Sequence, residues 1–132
     1  MINTWVKPPQ GGFTLNLIIW IIRKKGQCVI SGFSSHLERE VLHFLMKGHQ
    51  PIILVLARQM YNEIPSELQS LLEDNRLLII SVSKAARQSK ATALARNKYI
   101  CEIADQIVFV GVNEKSSLYP LYNQYASREI LI

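Results

Sequence analysis

The residues best suited to chemistry in this 132-residue chain handle anions; none stands out as a nucleophile or proton carrier. Ser31-Gly32 closes a short apolar run, and Ser34 and Ser35 follow just before an amphipathic stretch. A glycine lets another group approach the backbone closely, and hydroxyls ahead of a helix N-terminus, with its free N–H groups, form a phosphate cradle. The same residues also serve a purely structural end, with Gly32 making the turn and Ser35 capping the helix. Neither a G-x-G-x-x-G fingerprint nor a Walker A loop is present.

Positive charge is concentrated farther along. No acidic residue occurs between Asp74 and Glu102, whereas Arg76, Lys84, Arg87, Lys90, Arg96 and Lys98 all lie there. Lys84, Arg87 and Lys90 are interleaved with Ser and Ala, which suits an exposed loop that is either simply solvated or anion-binding. Arg58 directly follows a second apolar run and adds a charge at the same rim. Arg96-Asn97 is the sharper clue. On a helix starting near Ala91, Arg96 shares a face with Ile100 and Ile103, and an arginine on an apolar face requires a partner. That partner is an acid of the chain, or a phosphate or base at which the guanidinium aims its planar fork.

Other chemistries find little support. His36 and His43 are seven residues apart, about two helical turns, too far for joint chelation, and His49 stands alone. Cys28 and Cys101 form no CxxC pair and lie in apolar surroundings, which predicts buried, reduced thiols. No catalytic residue, metal site or cofactor is expected. Phe33, Tyr61 and Tyr99 are the few aromatics near the basic segment, so stacking platforms for bases are not obvious.

These residues need a frame to hold them. Thr14 to Lys25 reads as a helix stopped by Gly26, behind a tail or short leading strand over 1–13 that Pro8-Pro9 and Gly11-Gly12 interrupt. Short apolar runs at 28–30, 52–57, 77–80, 107–110 and 130–132 read as strands. Between them fall helical patterns: one from the Ser35/Glu38 capping box to Gly48, one from Pro65, one over 91–104 and one over 118–126. Continuous apolar strands separated by helices predict covered parallel strands joined by right-handed crossovers. The expected architecture over 14–132 is one α/β domain, a three-layer α/β/α sandwich around a Rossmann-like, doubly wound, mostly parallel sheet of about five strands. Ligands of such sheets bind beyond the C-terminal strand ends, which selects loops 31–35, 57–62, 81–91 and 111–117.

Composition agrees with an ordinary globular chain: 48% hydrophobic and 19% charged, with a formal net charge of +5 that permits an anionic partner. The longest apolar stretch, Leu15 to Ile22, is too short to span a bilayer and carries its basic residues after it, unlike a secretory signal. A cytoplasmic protein without membrane contact is expected.

Taken together, Val29-Ile30-Ser31-Gly32, the 51–57 run, Leu77 to Ser81 and above all Arg96-Asn97-Lys98-Tyr99-Ile100 resemble the DNA-processing protein A (DprA/Smf) family. The resemblance runs from about Gly26 to Ala104, and more loosely to the C-terminus. It implies a Rossmann-like domain that binds single-stranded DNA without hydrolysing it, often as a homodimer, and passes the strand to a recombinase. Carried over residue by residue, it points to Ser31, Gly32, Arg96 and Asn97.

The chain departs from the family pattern in three places. The opening Gly-Ser-Arg turn is not visible, Phe33-Ser34-Ser35-His36-Leu37 replaces Ala-Arg-Gly-Ile-Asp, and the late Ser-Gly-Ser-Leu-x-Thr-Ala element is reduced to Ser116-Ser117-Leu118. These departures mark a minimal or degenerate member. The alternatives are a small-nucleotide sensor, a protein-interaction module that has kept the fold, and a nucleotide-processing enzyme. The Pro-Gly-Gly-x-Gly-Thr-x-x-Glu loop of the related phosphoribohydrolases is absent.

Overall fold

A computed structural model of the chain describes residues 28–104, 107–109, 119–125 and 129–131. The helix expected over 14–25, the leading segment 1–13 and the loop 111–117 lie outside the described residues.

The elements alternate as the apolar runs require: β1 (Val29–Ser31), α1 (His36–Met46), β2 (Ile52–Leu56), α2 (Ser66–Glu73), β3 (Leu77–Ser81), α3 (Lys90–Ile103), β4 (Ile107–Phe109), α4 (Tyr119–Gln124) and β5 (Glu129–Leu131). β1, β2 and β3 form a three-stranded parallel sheet with β2 in the middle. β4 and β5 pair in parallel as a separate two-stranded sheet, and no ladder joins them to β1 among the described residues. The structure is thus α/β and consistent with a Rossmann-like fold, and among the described residues the strands form one three-stranded and one two-stranded parallel sheet.

Strand alternation sends side chains to two faces. On one face Val29, Ile52, Leu54 and Leu56 pack with Val41, Leu42 and Leu45 of α1 and Leu68 and Leu71 of α2. On the other, Ile30 and Val55 pack with Ile100, Cys101 and Ala104 around α3, together with Ile107 and Leu121. Cys101 is buried as expected, but Cys28 is exposed because it sits just before β1 and escapes the strand's burial. The covering of β3 is also incomplete. α3 packs principally on β1 and β2, which leaves Leu78 on the sheet's outer strand 55% exposed.

Local signals set the helix ends. Ser35 accepts from the N–H of Glu38 while the Glu38 side chain returns to the Ser35 N–H, a complete capping box for α1. Ser89 and Thr92 do the same for α3. α2 ends without a glycine. Asn75 takes the left-handed conformation at φ 56°, and the N–H groups of Asn75 and Arg76 return to the carbonyls of Leu72 and Leu71.

Arg76, counted above with the basic segment, is occupied at the opposite end of the sheet. Its guanidinium donates to the carbonyls of Leu45, Met46 and Gln50, which ties the C-terminus of α1 to the start of β3. The cation adds donors at the negative end of the helix, where backbone carbonyls are exposed to it. Its Nε is buried and has no partner among the described residues, a cost the three carbonyl bonds must exceed. Replacing Arg76 with Met keeps the stem and removes those bonds. Urea denaturation should show a loss of about 2 kcal/mol, the scale of hydrogen bonds to a charged group.

Candidate functional site

The turn after β1 splits its residues between the two faces of the sheet. Ser31 is fully buried and turns towards α1. Its hydroxyl donates to Glu38 Oε2 at 3.3 Å and accepts the Phe33 N–H at 3.0 Å. The N–H groups of Ser34 and Ser35 both donate to Glu38 Oε1, at 3.2 and 3.0 Å. Phe33 adopts φ 46°, a left-handed conformation costly for a bulky side chain. Burial of its ring in the α1-side core and the bond to Ser31 hold it there.

The phosphate cradle read from Ser31, Gly32, Ser34 and Ser35 is therefore already filled by an anion of the chain itself. Glu38 lies in the first turn of α1, where the helix dipole and free N–H groups favour negative charge, and it is only 3% exposed. Ser35 acts as the helix cap, and Ser34 is exposed with its N–H engaged. The capping box in the sequence announces the Glu38–Ser35 pair. The reach of the same carboxylate to Ser31 and Ser34 follows only from the tight turn.

Gly32 faces the other side and carries Arg96. A Cβ on Gly32 would overlap Nη1 and Cζ of the Arg96 guanidinium, so the absence of a side chain is what lets the fork lie on the backbone. Arg96 is 4% exposed, on the margin of the buried face of α3. Its Nε donates to Asn97 Oδ1 at 3.1 Å and Nη1 to Gln88 Oε1 at 3.2 Å; Nη2 makes no hydrogen bond among the described residues. Burial pulls the Arg96 pKa below its ordinary value, and the charge of Glu38 opposes that shift. No Asp or Glu lies within ion-pair distance of Arg96 among the described residues, so the two buried charges attract across the turn without touching.

Ile103, expected beside Arg96 and Ile100 on the sheet, is 49% exposed. At about 100° per residue the buried arc runs from Arg96 through Ile100 and Ala104 to Cys101, and Ile103 falls just beyond it.

The remaining nominated residues sit on two loops bound to each other. The Ser81 hydroxyl donates to the Arg58 carbonyl at 2.6 Å, and the Gln59 N–H donates to the Ala85 carbonyl at 2.7 Å. The segments after β2 and β3 thus form one hydrogen-bonded rim at the strand ends. Lys84 and Arg87 are exposed on it, and Gln88, which sequence reasoning did not single out, reaches from it to Arg96. Arg58 lies over the ring of Tyr61 at 5.1 Å and donates its Nε–H to the Gln59 carbonyl. Nothing in the local pattern signals either contact, because each depends on how the loops fold back.

Gly32→Ala should unseat the guanidinium rather than break the fold, because the obstructing atoms belong to the far end of a flexible side chain. Thermal unfolding should show a loss of about 1 kcal/mol, on the low side for overpacking. The amide resonances of Gln88 and Asn97, Arg96's two partners, should shift most.

A model of the DNA recombination-mediator protein A family matches residues 9–120 of the chain. Among curated proteins and among solved structures, nothing matches. The match takes in β1 to β3, α1 to α3 and the whole Gly32–Arg96 site, and the chain belongs to the DNA recombination-mediator protein A family.

Proposed function

We propose that the chain is a non-catalytic nucleic-acid-binding module that holds single-stranded DNA across the C-terminal ends of β1, β2 and β3. Membership of a DNA-recombination family supplies the class of partner. The observation that carries the reading is the seating of Arg96, a nearly buried guanidinium laid on Gly32 at the strand ends, with Nη2 unbonded among the described residues. Arg96 and Asn97 engage a phosphate, and Lys84, Arg87 and Arg58 neutralise its neighbours along the rim. Tyr61, already beneath a cation, offers a face for a base. Because Glu38 fills the α1 N-terminus, Ser31, Ser34 and Ser35 shape the turn, and phosphate contact passes to the Arg96 side.

On the same reading β4 and β5 extend β1 to β3 into a single five-stranded sandwich. The module works in the cytoplasm, and no helix among the described residues is long and apolar enough to cross a membrane.

The test is anisotropy titration of a labelled single-stranded oligonucleotide across a salt series. Wild type should bind with an affinity that falls steeply with salt. Lys84→Ala/Arg87→Ala should flatten the log–log slope by about 1.4, two phosphate contacts at roughly 0.7 each for single strands. Arg96→Lys keeps the charge and loses the fork, so it should weaken binding about tenfold with little change in slope. Absent or salt-insensitive binding by folded wild type would refute the reading, and binding of mononucleotides instead would favour a nucleotide sensor.

A further inference from the structure

The α2 side of the sheet carries a second concave surface, apart from the Arg96 seat on the α3 side. α2 gives Leu68 and Leu71 to the core. Leu72 follows Leu71 by about 100° around the helix and is only half-buried. With Ile64 of the preceding loop, also half-buried, it supplies the apolar floor of an open groove of about 570 Å³. Glu63, Gln69 and Glu73 line the same groove and are exposed.

The polar groups of this groove are ready to accept. The carboxylates of Glu63 and Glu73 are acceptors only, and neither forms an ion pair with another described residue. Gln69 turns its amide nitrogen back to the Ile64 carbonyl at 3.3 Å, which leaves Oε1 as its free end. The surrounding charge is of one sign. From Gln59 to Asn75 the chain carries Glu63, Glu67, Glu73 and Asp74, all exposed, and no Lys, Arg or His. On a chain of net charge +5 this is a local reversal, and it repels an anionic strand.

We propose that this groove docks a basic peptide segment of another protein, one whose apolar side chains lie between two lysines or arginines. The two cations donate to Glu63 and Glu73, and the apolar side chains cover Ile64 and Leu72. Both halves of the pattern are needed. A bare cation leaves the apolar floor in water, and an uncharged apolar segment strips water from two unpaired carboxylates. Spacing follows from the helix beneath. α2 rises about 12 Å over its eight residues, a length that an extended peptide covers in about four. The matching segment reads Lys-x-x-x-Lys with leucines between the lysines.

Amide NMR titration of the full chain, free of DNA, with the peptide Gly-Gly-Lys-Leu-Ala-Leu-Lys-Gly-Gly tests this. Shifts should saturate and centre on Ile64, Gln69 and Leu72. Glu63→Gln/Glu73→Gln changes two exposed side chains, should keep the spectrum of a folded chain, and should weaken binding about tenfold by removing two exposed ion pairs. Replacing both leucines of the peptide with serine should weaken it by a similar factor. The absence of saturable shifts in this groove overturns the proposal, as does a double variant that binds the peptide unchanged. Equal binding of the serine peptide or of spermidine overturns it in favour of a site for cations alone. Shifts at the same residues that grow with protein concentration before any peptide is added overturn it in favour of a second copy of the chain.

Discussion

The carboxylate of Glu38 is the constraint around which the site is organised. It lies buried at the start of α1, where it accepts two backbone N–H groups and the Ser31 hydroxyl, and so fixes the path of the chain out of β1. That path puts Phe33 into the core in a conformation it would not choose alone, and leaves Gly32 bare on the opposite side. The charge that holds the turn also opposes the desolvation of Arg96 across it. A buried carboxylate without these donors would cost several kcal/mol, so the turn and the acid depend on each other.

The outcome is that the position beside the first strand is occupied from within the chain. In parallel α/β sheets the helix N-terminus after the first strand commonly receives a phosphate. Here that position is taken internally, and the available positive charge stands one residue away on the α3 side, with the rim formed by the loops after β2 and β3. Gln88 is the link, since it comes from the rim and holds the guanidinium. The seat of the guanidinium and the placement of the 82–89 loop are therefore linked.

The basic residues divide by location rather than by charge. Arg76 and Arg96 both lie in the acid-free stretch, yet Arg76 serves the negative end of a helix at the sheet's N-terminal side and Arg96 sits where strands end. Arg58 is tied to its own loop through Tyr61 and Gln59. Lys84 and Arg87 remain at the surface. A count of positive charges would treat all five alike, whereas their partners assign them different work.

What the sequence determined by itself was local. The apolar runs became strands within a residue or two, because burial on both faces needs uninterrupted hydrophobicity. The S-x-x-E box placed the start of α1, because a cap is made by residues three apart. Arg96 was legible as an arginine needing a partner, because helical periodicity alone put it beside Ile100. Tertiary structure decided what joined segments far apart in the chain: that Gly32 is the surface under Arg96, that Gln88 is its partner, and that Arg76 belongs to α1. It also decided that α3 stops short of β3, which exposes Leu78 in a run that reads as buried, and that β4 pairs in parallel with β5. Periodicity reports which face of an element is apolar; only packing says whether another element covers it.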